Sequence, residues 1–191
     1  MPPKVKTSYD DIINAAIVIV REKGIEHVNA RSVASKLNCS IQPIFRTFGS
    51  MEDFKEAVYS QAGDIFNTTL LRSLENSDEG FLALGLAYIN FAKKETNLFR
   101  MLFMTNVFNH WSLADIAGTT PGDDVVIDVI CEATGLNASK AQELYTGIWF
   151  TAHGIASLIS TNNCSLNDEE IKKVLKSVYM GILHTLRNED I

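Results

Sequence analysis

The sequence predicts an all-α protein, a small three-helix head followed by a larger helical body, with about nine helices in all. Three observations carry this. Apolar residues recur at three- and four-residue spacing through most of the chain. No alternating Val/Ile/Thr run is bounded by hairpin turns. Only four prolines and eleven glycines interrupt the pattern, and no solenoid-length repeat is visible.

The head is read first. From Ser8 to Lys23, Ile12, Ile13, Ala16, Ile17 and Val20 fall on one helical face, with Ser8 and Asp11 as the N-terminal cap and Gly24 as the stop. A second short helix opens at Asn29 or Ala30 and turns Val33, Ala34 and Leu37 inward. Asn38-Cys39-Ser40 makes a tight turn. A third helix runs from Ile41 to Phe48, capped by Ser40 and carrying Pro43 in its first turn, where a missing N–H costs little. Gly49 and Ser50 end it, and a long helix follows from Met51 to about Leu74 through Phe54, Val58 and Ala62. In the body, helices are expected at 79–94, 96–109, 122–134, 138–161 and 167–187, with a loop over 115–124. The domain reading is a head at 1–50, a linking helix at 51–74, and a second domain over 51–191.

Charge is unevenly distributed. Over residues 1–50, seven basic side chains (Lys4, Lys6, Arg21, Lys23, Arg31, Lys36, Arg46) face four acidic ones (Asp10, Asp11, Glu22, Glu26), a net +3 in a chain whose total is −6. A basic head on an acidic body places the attractive field for a polyanion at one end. Cys39, Cys131 and Cys164 form no metal-ligand spacing and no disulfide framework, which is the pattern of a reducing cytosol. The polar opening residues carry no secretory signal, and no apolar stretch reaches bilayer length, so a soluble, cytoplasmic protein without membrane contact is expected. No nucleophile–base pair, HExxH or phosphate loop stands in a persuasive context; neither an enzyme nor a cofactor or metal is expected.

Residues 24–54, GIEHVNARSVASKLNCSIQPIFRTFGSMEDF, resemble the DNA-binding signature of the TetR-like (tetracycline-repressor) family. Gly24, Ala30, Val33-Ala34, Leu37, Cys39-Ser40, Ile44-Phe45, Phe48 and Glu52-Asp53-Phe54 occupy its places. The chain departs from it at Phe45, where Tyr is usual, and at Met51, where Lys is common. The resemblance implies a helix-turn-helix with the third helix in a major groove. Ile44 and Phe48 would pack inward, leaving Ile41, Gln42, Pro43, Phe45, Arg46 and Thr47 outward, with Arg31, Ser32 and Ser40 toward phosphates. Gln42 suits adenine, and Arg46 guanine or a phosphate.

Residues 85–108 resemble a sensor-domain opening, and Trp149, His153 and Gly154 give the Trp-x3-His-Gly element of one TetR-like branch. The branch implies an effector-binding and dimerisation body. The large side chains Phe91, Phe99, Leu102, Phe103, Phe108, Trp111, Trp149, Phe150 and His153 are the expected pocket lining for a small, largely apolar effector. Apolar stripes on the last two helices, including Ile148, Ala152, Ile155, Ile159, Val174, Val178 and Ile182, are the expected homodimer interface. Together these imply a repressor of double-stranded, palindromic operator DNA, released when the effector moves the linking helix. The rival reading is a helical ligand-binding or docking module whose head no longer binds DNA.

Overall fold

The computed structural model describes residues 7–75, 81–105, 123–161 and 165–188. They form nine α-helices, α1 (Tyr9–Lys23), α2 (Ala30–Lys36), α3 (Gln42–Phe48), α4 (Met51–Glu75), α5 (Phe81–Lys94), α6 (Thr96–Phe103), α7 (Asp123–Thr134), α8 (Ala138–Ser160) and α9 (Asp168–Asn188), with a single 3-10 turn at Ile25–His27 and no strand among the described residues. No helix of these is long and apolar enough to cross a membrane.

The chain divides into two compact units, residues 1–67 with 95–105, and residues 68–94 with 106–191. In the first, α1 packs on α2 and α6. Ile12, Ile13, Ala16, Ile17 and Val20 are buried on its inner face, as their spacing requires. Ser8 and Asp11 cap α1 reciprocally: the Asp11 N–H donates to Ser8 Oγ, and Asp11 accepts from the Ser8 N–H and hydroxyl. Those bonds hold the Asp11 carboxyl below its ordinary pKa. The far end of α1 is tied to α6, where Asn97 donates to the Arg21 carbonyl at 3.0 Å and the Arg21 guanidinium meets Glu95 at 2.9 Å.

α6 is shorter than the expected 96–109. It ends at Phe103, with Met104 as its C-cap donating its N–H to the Arg100 carbonyl, and the Thr105 hydroxyl donates to the Met101 carbonyl at 2.7 Å. Phe99 and Phe103 lie 5.1 Å apart and Phe66 meets Phe103 edge-on, so the α6 aromatics join this unit's core.

In the second unit α8 packs against α5, α7 and α9. Gly85 lets α5 come close, since a Cβ there would lie 3.3 Å from the Leu175 side chain. Lys140 reaches the Leu186 carbonyl at 2.6 Å and Arg187 the Thr134 carbonyl at 2.7 Å, satisfying helix-end acceptors. Ile148, Ala152 and Ile155 are no more than 8% exposed within the single chain. These three residues of the expected dimer interface are therefore packed in the chain's own core and leave little surface for a second copy.

Candidate nucleic-acid interface

Local sequence builds the head's turn. Asn29 caps α2 by accepting from the Arg31 and Ser32 N–H groups, each at 3.0 Å. At its other end Asn38 adopts φ 50°, a left-handed conformation that Asn tolerates. The Asn38 N–H reaches the Ser35 carbonyl and the Cys39 N–H the Ala34 carbonyl, so the helix closes without glycine. The chain then enters α3 at Ile41. The expected cap at Ser40 is corrected here: Ile41 holds the cap position with no side-chain cap, and Pro43 falls in the first turn as anticipated. Gly49, at φ 74°, ends the helix, and Ser50 with Asp53 caps α4.

α3 has one fully buried side chain, Ile44, 1% exposed and inward with Val28 and Val33. Phe48 is half-buried between Tyr9, 5.1 Å away, and Phe54, 5.0 Å away. Ile41, Gln42, Phe45, Arg46 and Thr47 are exposed and Pro43 is half-buried, and Arg31 and Ser40 are also exposed. Two hydroxyls of the expected DNA-contact set, on Ser32 and Thr47, are engaged within the head. Ser32 Oγ donates to the His27 or Asn29 carbonyl and accepts from the Asn29 N–H, completing the α2 cap. Thr47 donates to the Pro43 carbonyl at 2.9 Å. A hydroxyl has one proton to give, so in this geometry neither donates outward.

The residues expected around an effector fall into both units. Phe99, Leu102 and Phe103 sit in the first, the first two buried, and Phe91 is buried in the second. Phe108 and Trp111 lie outside the described residues. Trp149 and His153, one helical turn apart on α8, stack almost parallel with centroids 4.8 Å apart. The Tyr88 hydroxyl, from α5, lies 2.8 Å from His153 Nδ1. Burial lowers the His153 pKa, and burial with nearby Tyr145 raises that of Tyr88, so both groups are neutral near pH 7. Tyr88 was missed in the sequence. Its signal was a polar-tipped aromatic on the apolar face shared by Leu84 and Phe91.

Phe150, Gly154 and Leu158 form an outer face of α8, and Val174, Met180 and Gly181 an exposed part of α9. A Cβ at Gly154 or Gly181 would meet nothing within 4 Å. Ile159, Val178 and Ile182 are half-buried. Cys39 and Cys131 are free thiols, and no metal-ligand group occurs among the described residues.

No protein-family model and no curated protein matches the sequence. Among solved structures, the chain is similar to a TetR-like transcriptional regulator from Rhodococcus sp. RHA1, with a TM-score of 0.64, 13% identity, and coverage of 96% of this chain and 98% of that one. The chain therefore has the all-helical fold of a TetR-like regulator.

Proposed function

We propose that this chain is a sequence-specific DNA-binding transcriptional repressor, a cytoplasmic homodimer that holds a palindromic operator until a small, largely apolar effector releases it. The observation that supports it most is the outward side of residues 41–47, a polar and apolar surface held on a rigid back by Ile44 in a net-basic head. A helix is the element that fits a major groove, where donors and acceptors distinguish every base pair. Gln42 and Arg46 are the base readers in this reading, with Arg31 and Ser40 at phosphates.

Two copies must set their α3 helices about 34–36 Å apart to enter successive major grooves. We assign the dimer contact to Phe150, Gly154 and Leu158 with Val174, Val178 and Gly181. An exposed mid-helix glycine costs roughly 0.5–1 kcal/mol relative to Ala, which favours a role in close helix approach. Ile159 and Ile182 would border that contact. Half-buried Trp149 and His153, both in the second unit, remain the effector candidates, with Tyr88 orienting the imidazole. Trp149, His153 and Gly154 support the Trp-His-Gly branch. α4, about 37 Å long at 1.5 Å per residue, contributes to both units and would carry the effector's influence to the head.

Selection of duplexes from a random pool, followed by gel shift with excess nonspecific competitor, tests this. Enrichment of a palindrome supports it. Binding no tighter than to random DNA would leave a ligand-binding or docking module instead.

A further inference from the structure

Ile41 and Phe45 are 41% and 40% exposed. They lie one turn apart, since the Ile41 carbonyl accepts from the Phe45 N–H at 3.4 Å, and so share a face of α3. Gln42 and Arg46, both exposed, form the neighbouring stripe. The surface offered by α3 is therefore two parallel rows, one apolar and one hydrogen-bonding. Single exposed apolar residues need no explanation, but a pair stacked on the exposed face of a seven-residue helix does.

The occupant must be a polyanion with an apolar feature at the depth of its hydrogen-bonding edges. The head's net +3 supplies the charge complementarity. In the major groove, the apolar feature that base pairs offer is the thymine C5-methyl group. Phe45 has no hydroxyl to give a phosphate, and Thr47 spends its proton on the Pro43 carbonyl. Apolar contact is what this row can contribute.

We propose that Ile41 and Phe45 form a methyl-reading row, so that each operator half-site presents thymine methyls beside the base pairs read by Gln42 and Arg46. This rests on the DNA-binding reading and adds to it the base class recognised.

The test uses the full chain and a duplex selected from a random pool, with thymines replaced one at a time by deoxyuridine, which removes the methyl alone. Burying one methyl-sized group is worth about a fourfold change in affinity. The expected result is that loss at one or two positions per half-site, abolished in Phe45→Ala or Ile41→Ala and retained in Gln42→Ala. If the selected duplex binds well above random DNA but every deoxyuridine substitution stays within about twofold, methyl reading is overturned and DNA recognition stands. If no duplex is enriched, both fall. Self-association that Phe45→Asp abolishes, with no deoxyuridine effect, assigns the row to a second copy and also overturns the proposal.

Discussion

Replacing Ile44 with alanine should undock α3 while leaving the rest of the chain folded. The side chain is 1% exposed, and the substitution removes three methyl-sized groups. At about 0.8 kcal/mol each, their transfer alone amounts to about 2.4 kcal/mol. A residual cavity would raise this into the roughly 2–5 kcal/mol range of such truncations. The lower end is expected, because α3 is short and lies at the surface, where neighbours can close part of the gap. A seven-residue helix is far below the length that stands alone in water, so the loss falls first on α3's own docking. Native-state hydrogen exchange of the α3 amides is the direct assay. Protection should fall about fiftyfold, since 1.4 kcal/mol is tenfold, while α8 amides keep theirs. Sequence-specific DNA binding should be lost in parallel. A change below about 1 kcal/mol in α3 protection would refute the claim that Ile44 fixes the outward face.

A Cβ at Gly154 or Gly181 meets no side chain within 4 Å, so Gly154→Arg with Gly181→Arg should leave helicity unchanged while converting the proposed dimer to monomer in sedimentation equilibrium; an unchanged dimer moves the interface elsewhere. Asn29→Ala removes the cap on two N–H groups of α2 and should cost about 1 kcal/mol in urea denaturation. Burial holds His153 below its ordinary 6.5, so as pH falls below that value the unfolded chain binds the proton first. Stability should be full above about pH 6.5 and decline below it until the folded-state pKa is passed. His153→Gln should flatten that portion of the Tm–pH curve; an identical slope would show that His153 does not set it.

The head was legible because its signals are local. Ser8 and Asp11, Asn29, Pro43, Gly24 and Gly49 each act within a turn of their own position, and their neighbours place Ile44 inward unambiguously. The Ser40 cap misled because Ile41, already in a helical conformation (φ −72°, ψ −15°), takes the cap position without a side-chain bond. The end of α6 is not legible in periodicity, because the apolar run continues past Phe103 while the helix stops there. The interface was harder for a different reason. Apolar residues that pack α8 against its own chain and those that meet a second copy obey the same spacing, so periodicity alone does not tell that Ile148, Ala152 and Ile155 are buried within the single chain. Tyr88 and His153 lie 65 positions apart, a pairing that only the tertiary fold creates.

The central claim is that two copies present residues 41–47 to successive grooves. Hydroxyl-radical footprinting of the selected duplex tests it most directly. The account predicts two protected patches on one face, centred about one helical turn apart, both lost with Arg46→Ala and Gln42→Ala together. Uniform cleavage along the duplex, or protection unchanged by those substitutions, would contradict it.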